Sequence, residues 1–307
     1  PEELYAFARD EAFLDFGAIS DHMEGVTDRQ WEYFQAVTND FNDPGNFATL
    51  QGQEWTHHVQ AFGAPGHRNV YYRGDSGPAV RCTDPDCNTL GKLWQTLDQL
   101  PEGEAIAIPH HPANVMMGVR WELGWNPTYE PAVEIYSVWG NSEKSEAEGN
   151  PRPIRNCDGE MAGRHVWDAL KRGYRLGFVG GGDVHDGRPG LAMHGHTYLD
   201  RTTPSNNNGL TAVWAPALRR DEVFDAIRER RTYAATCSRI YLETYGQEGD
   251  GTTKLHVRTA SEEGIQNIVL VRNTNEQAID DITSGMQTAE RTLSLPAIGN
   301  DESIYVR

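Results

Sequence analysis

The sequence predicts an α/β fold, a parallel sheet or barrel of alternating strands and helices, with a smaller β-rich domain behind it. Three observations carry that expectation. Short apolar runs alternate with amphipathic stretches over residues 1–238. Residues with acid–base or metal chemistry sit just past the carboxyl ends of those apolar runs, where loops of α/β folds gather their functional groups. From Arg239 onward the pattern becomes short alternating runs split by turn residues, as in an antiparallel sandwich.

Taken in order, "PEELYAFARDEA" has helical spacing at Leu4, Phe7 and Ala8, with Glu2 and Glu3 at the favourable end of the dipole. "LDFGAIS" is a compact strand that stops at Asp21 and His22. "DRQWEYFQAVTNDF" reads as a helix, "NDPGN" as a loop, and "FATLQGQ" as a strand ending at Glu54. "RNVYY" is a strand just after His67, and "LGKLWQTLDQL" is an amphipathic helix. "EAIAIP" delivers His110 and His111, "PAVEIYSVW" carries Glu134, "MAGRHVWDALKRG" is a helix, and "YRLGFVGG" delivers Asp183. "TTPSNNNGL" is a polar linker or turn, and "RRDEVFDAIRERR" is a charged amphipathic helix able to close the first domain. The second domain, 239–307, contains "IYLETYG", "TKLHVRTA", "QNIVLVRN" and "RTLSLPA", and is expected to be incomplete.

Composition narrows the function. A chain of 307 residues with 38% hydrophobic content can build a core. A net charge of -18 argues against binding a nucleic-acid backbone, which needs clustered Lys and Arg. It leaves small anionic substrates open, because bound metal reverses the local field. No apolar run is long enough to span a bilayer. The chain begins at Pro1 and ends in "NDESIYVR", so both ends read as cut. Of the four cysteines, Cys82 and Cys87 in "RCTDPDC" fit either a local disulfide, which would hint at export, or two loop thiols. Cys157 and Cys237 have no evident mates. The compartment is therefore open between cytoplasmic and exported, and nothing in the pattern selects an oligomeric state.

The strand-end set is Asp21, His22, Glu54, His110, His111, Asp183 and His185. Imidazole and carboxylate are what Zn, Mn and Fe take in hydrolytic sites. Each signal has a plain structural alternative: Asp21 as a helix cap, Glu54 as a strand-end carboxylate, the two histidines as a turn before Pro112, and "GGGDVHDG" as a glycine-rich turn. Their shared phase favours metal. His194 and His196 form an H-x-H that follows no apolar strand, while His165 and His256 read as ordinary. His57 and His58 line a pocket at most, and Arg188 either meets an anionic substrate or pairs with Asp186. There is no G-x-S-x-G elbow and no P-loop.

"AISDH", "GQEW", "GHRNVYY", "IPHHP", "VEIYSVWG" and "GGDVHDGRPG", in this order, resemble the polymerase and histidinol phosphatase (PHP) superfamily of metallophosphoesterases. They are most similar to a branch described as a domain of unknown function. The resemblance covers residues 1–238 and implies a distorted (β/α)7 barrel, N-terminally truncated here, that holds two or three divalent ions. It implies His22 as a metal ligand, Glu54 as a bridging carboxylate, His67 and His111 as ligands of one bridged ion, and Asp183 with His185 as the closing pair. His110 competes with His111, and Asp21 and Glu134 orient ligands. The family's opening H-x-H lies upstream of Pro1, which leaves Glu54, His67 and His111 as the most complete site. Gly182 stands where the family often has Ser.

The function expected is a metal-dependent hydrolase, a phosphoesterase acting on a phosphorylated small molecule. Asp183 and His185 are its candidate catalytic pair, and His185 is one candidate acid for the leaving group. The competing expectation is a non-catalytic, metal-stabilised module whose β-rich tail contacts a partner. Amide hydrolysis on a similar site would call for a bridging carbamylated lysine, and none of Lys92, Lys144, Lys171 and Lys254 lies at a strand end.

Overall fold

The N-terminal helix forms as α1 (Glu2–Ala6) and continues as a π-helical turn over Phe7–Glu11. It buries Tyr5 and Ala8 against Ile19, Val37 and Phe47. The computed structural model describes residues 1–57, 64–191, 208–236, 238–249, 251–281 and 286–307. His58, His194, His196, Cys237 and most of "TTPSNNNGL" lie outside the described residues.

Strand β1 (Phe16–Ala18) leads through a 3-10 turn to α2 (Asp28–Asp40). A capping box starts α2: the Gln30 N–H donates to Thr27 Oγ1, and the Thr27 N–H donates back to Gln30 Oε1. Strand β2 (Ala48–Trp55) is buried along its whole length and runs parallel to β1. Strand β3 (Arg68–Tyr72) is antiparallel to β2, and β4 (Ala105–Pro109) is antiparallel to β3. Between them, α3 (Leu90–Leu97) starts on a Thr89 cap and packs Leu90, Leu93 and Leu97 against Trp55, Val70 and Tyr72. Strand alternation sends Leu50, Ile106 and Ile108 to the other face.

Three further strands, β5 (Ala132–Ser137), β6 (Gly140–Asn141) and β7 (Gly177–Gly180), make a second sheet in which β5 and β7 are parallel and β6 is antiparallel. Helix α4 (Val166–Lys171) precedes β7. Strands β8 (Leu210–Val213) and β9 (Thr232–Ala235) pair antiparallel around α5 (Arg220–Arg228). Val223, Phe224 and Ile227 of α5 pack against Leu50, Ile106, Ile108 and Val179.

The chain divides into two compact units, 1–168 with 176–237, and 169–175 with 238–307. The second unit contains β10 (Tyr241–Gly249), β11 (Thr252–Ala260), β12 (Asn267–Arg272), β13 (Asn275–Asp281), β14 (Thr288–Pro296) and β15 (Ile304–Val306). They form two antiparallel sheets, ordered β10-β11-β14 and β13-β12-β15. Leu255, Val257, Ile268 and Leu270 from both sheets share one core.

The expected (β/α)7 barrel is corrected. Among the described residues of 1–238 five α-helices accompany nine strands, too few for a helix to follow every strand. The first unit's strands fall into separate sheets, and none closes on itself. The cause lies in the pairing. Alternation of strand and helix predicts parallel pairing, yet β3 is antiparallel to both neighbours although α3 follows it. A helical connection is long enough to return a chain in either direction, so alternation alone does not specify strand sense.

Candidate metal centre

The chemistry gathers at one edge of the β1-β2-β3-β4 sheet. Strands β2 and β4 leave the sheet at this edge, with Glu54 near the end of β2 and His110 and His111 just past β4. Strand β3 enters at the same edge because it is antiparallel, so His67 precedes its strand. Asp183 follows β7, and His22 lies opposite Glu54 as an isolated bridge beyond β1. A rule that looks only past carboxyl ends finds every member of this set except His67.

Glu54, His110 and His111 are buried, and each offers a ligand atom within 4.8 Å of the other two. His67 Nδ1 lies 2.6 Å from Glu54 Oε1, and His110 Nδ1 lies 2.7 Å from Glu134 Oε2. These are close imidazole–carboxylate pairs, whereas His67 Nε2 and His111 Nδ1 are buried with no hydrogen-bond partner among the described residues. Each such orphaned buried group costs about 1–3 kcal/mol. Glu54, His110 and His111 gathered this closely, with His67 against Glu54, form the kind of donor set that a divalent ion takes. The residues therefore fit a metal of the Zn, Mn or Fe type.

Supports around the cluster fix its shape. Glu134 Oε1 accepts the backbone N–H of His111 at 3.1 Å. His110 Nε2 lies 3.1 Å from Asp183 Oδ2, and the Trp139 indole N–H donates to that same oxygen. His111 and Asp183 both hold left-handed backbone, with φ of 30° and 48°. Non-glycine residues in that region are strained and concentrate at functional sites. Arg68, buried beside His67, donates to Glu130 Oε1 at 2.9 Å and to the carbonyl oxygens of Pro65 and Gly66.

The glycines of "GFVGGGDVHDG" make room for backbone. A Cβ on Gly180 would stand 2.6 Å from the Leu210 carbonyl oxygen, and one on Gly181 would stand 2.7 Å from Glu134 Oε2. Gly182 has nothing nearer than 3.5 Å. Two of the three are thus required by close approach, one to β8 and one to Glu134.

Electrostatics divide the histidines. Burial disfavours charge on His110, but the Glu134 and Asp183 carboxylates outweigh it and raise its pKa well above the ordinary value. Burial pushes His111 well below the ordinary value, and charge on His110 and His67 adds to the effect. Burial opposes ionisation of Glu54 and Asp183 too. The neighbouring His67 for Glu54, and His110 for Asp183, reverse that and lower both carboxyls.

An open cleft of about 470 Å³ leads to the cluster, bordered by Asp21, His22, Glu54, His110, Glu134, Asp183 and His185. At its mouth, His22 Nδ1 lies 2.7 Å from Thr56 Oγ1 and 3.1 Å from Glu54 Oε2. Its ring centroid is 5.7 Å from that of His185, which is exposed and places Nδ1 3.2 Å from the Asp183 carbonyl oxygen. The Asp21 carboxylate is exposed, while its carbonyl oxygen accepts the Glu54 N–H. Arg188 is exposed and not among the residues bordering the cleft. His165 sits apart between Glu160 and Asp168, and His256 stacks on Tyr245. Among the described residues Cys82, Cys87 and Cys157 form no disulfide, and the Cys82 thiol donates to the Thr56 carbonyl oxygen at 2.7 Å. Sequence reasoning passed over Trp139, Thr56 and Arg68, although Arg68 directly follows a candidate ligand and Trp139 closes the "VEIYSVW" strand.

Fold and cluster together define a strand-rich α and β protein with a buried histidine–carboxylate centre. The chain belongs to the family "Protein of unknown function (DUF3604)", whose model matches residues 4–148 and 192–271. It is 32% identical over 244 residues to an uncharacterized protein of Chlamydia trachomatis serovar D. Uncharacterized proteins of Chlamydia muridarum and Chlamydia pneumoniae are 31% and 29% identical. These matches cover 78% of this chain but 37% of each relative, so the chain spans little more than a third of their length. No solved structure matches it. The resemblance to the PHP superfamily is corrected here: the matching family model and relatives give no indication of it, and the sheets lack its barrel. Motifs of a few polar residues at strand ends report local geometry, which unrelated sheets can share.

Proposed function

We propose that this chain carries the metal centre of a hydrolase that cleaves phosphomonoesters or phosphodiesters. The observation that supports it most is that Glu54, His110 and His111 bring three ligand atoms within 4.8 Å of one another, with His67 2.6 Å from Glu54, beside an open cleft that Glu54 and His110 border. When bound, a divalent ion there supplies Lewis-acid charge for phosphoryl oxygens and eases ionisation of a nucleophilic water. Glu54, His67, His110 and His111 would hold it, with Asp183 and His22 adding ligands toward the mouth. Glu134 and Trp139 keep His110, His111 and Asp183 in position. Exposed His185 is placed where it can give a proton to a leaving group. Ester rather than amide substrates are favoured because none of the residues bordering the cleft is lysine, the residue a carbamate-bridged site needs.

The test is elemental analysis of the purified chain and of Glu54→Gln and His111→Ala, with assays on p-nitrophenyl phosphate and bis(p-nitrophenyl) phosphate in Mn and Zn. Bound metal and ester cleavage, both lost in the variants, are expected. Metal without cleavage of either ester overturns the phosphoesterase reading in favour of a metal-stabilised binding module. A chain that takes up no metal overturns both.

A further inference from the structure

We infer that Asn69 is the group that recognises the anionic substrate in this cleft, its amide hydrogen-bonding to a phosphoryl oxygen. The inference rests on the hydrolase reading above.

Strand β3 alternates its faces, so Asn69 and Tyr71 point to one side while Val70 and Tyr72 enter the core under α3. The register sets Asn69 directly between Glu54 on β2 and Ile108 on β4. It therefore borders the cleft beside Glu54, His110 and Glu134. Asn69 is only 7% exposed; its Oδ1 is fully buried without a partner, and its Nδ2, the atom able to donate, makes no hydrogen bond among the described residues.

Gln51, Asn156 and Asn208 also bury an amide oxygen without a partner, but none of them borders the cleft. The buried amide of Gln53 bonds to Tyr72, Pro78 and Val80. The Asn114 amide accepts from Met116 and Met117 and donates to Asn156, Cys157 and Gly159. Tyr71, two residues along the same face, has a partner in Ser20. Asn69 alone on this wall offers a neutral amide to the cleft with nothing to bind. A neutral donor suits the position, because the bordering carboxylates of Glu54 and Glu134 would repel an anion that the metal attracts. The amide is also too weak a ligand to compete with imidazole for the ion. The Nδ2 donor is then matched by a substrate oxygen, and losing that bond costs substrate affinity.

The experiment is binding of inorganic phosphate to the Mn-loaded chain by titration calorimetry, with metal content measured in parallel, for wild type, Asn69→Leu and Asn69→Ser. Asn69→Leu should weaken phosphate binding about tenfold or more, leave metal content unchanged and raise Tm, because the orphaned amide is gone. Asn69→Ser, which keeps a donor, should fall between. Unchanged phosphate affinity with intact metal overturns the inference and leaves the hydrolase reading standing. Loss of metal in both variants overturns it by making Asn69 part of the metal shell. A wild type that holds no metal and binds no phosphate overturns both readings together.

Discussion

Glu134 grips two consecutive histidines with its two oxygens: Oε2 lies 2.7 Å from His110 Nδ1, and Oε1 accepts the His111 backbone N–H at 3.1 Å. One carboxylate thereby orients a ring and holds the left-handed turn that presents the next ring. Replacing it by Glu134→Gln keeps an acceptor for His111 but removes the charge beside His110. Metal affinity should fall 10–100-fold, as the loss of a ligand-orienting group typically causes. Titration calorimetry with Mn or Zn checks this, and an affinity within twofold of wild type would show that Glu134 does not orient the ligands.

The raised pKa of His110 makes a pH prediction with a definite sign. A folded value above the unfolded one stabilises the ion-free chain below about pH 6.5, and that benefit is lost as pH rises through the raised value. The metal competes for the same ring, so its affinity should rise with pH over the same range. At pH 7, binding should release about one proton per ion, seen as a dependence of calorimetric enthalpy on the ionisation enthalpy of the buffer. Glu134→Gln should reduce that release.

Two neighbouring glycines should behave differently. Gly181→Ala sets a methyl 2.7 Å from Glu134 Oε2 and must displace the carboxylate that orients the ligands. A loss of about 1–3 kcal/mol of stability is expected, with weaker metal binding. Gly182→Ser meets nothing within 3.5 Å and should change Tm by no more than a degree or two. Equal effects from both would show that the steric argument at Gly181 is wrong.

Arg68 and Glu130 are both fully buried, with Nε 2.9 Å from Oε1. Removing one partner leaves the other uncompensated, so Glu130→Ala should cost about 3–5 kcal/mol in urea unfolding. Because Arg68 also binds the carbonyl oxygens of Pro65 and Gly66, metal affinity through His67 should fall as well. Arg68→Met with Glu130→Leu should recover much of the stability without restoring the metal affinity.

The individual elements were largely legible because each has a local signature. The Thr27/Gln30 box, the apolar stripe Leu90, Leu93 and Leu97, and the continuous burial of β2 follow from neighbours in the chain. Strand sense was not legible. It depends on pairings such as Glu54 with Asn69, which bring together residues distant in sequence and leave the local pattern unchanged. His110 and His111 show the same division within the site: adjacency in the chain made them look like rivals. Fold geometry instead gives the first a pair of carboxylates and turns the second, through its left-handed backbone, toward His67.

By itself the sequence determined the local elements and a set of imidazole and carboxylate groups at strand ends, because these depend on hydrophobic period and residue chemistry. Only the tertiary structure decided that the sheets stay open, that His67 enters from the edge its neighbours leave, and that Asn69 meets the cleft unpaired. Those outcomes depend on strand direction and on which backbones approach closely, and both are set by contacts between segments far apart in the chain.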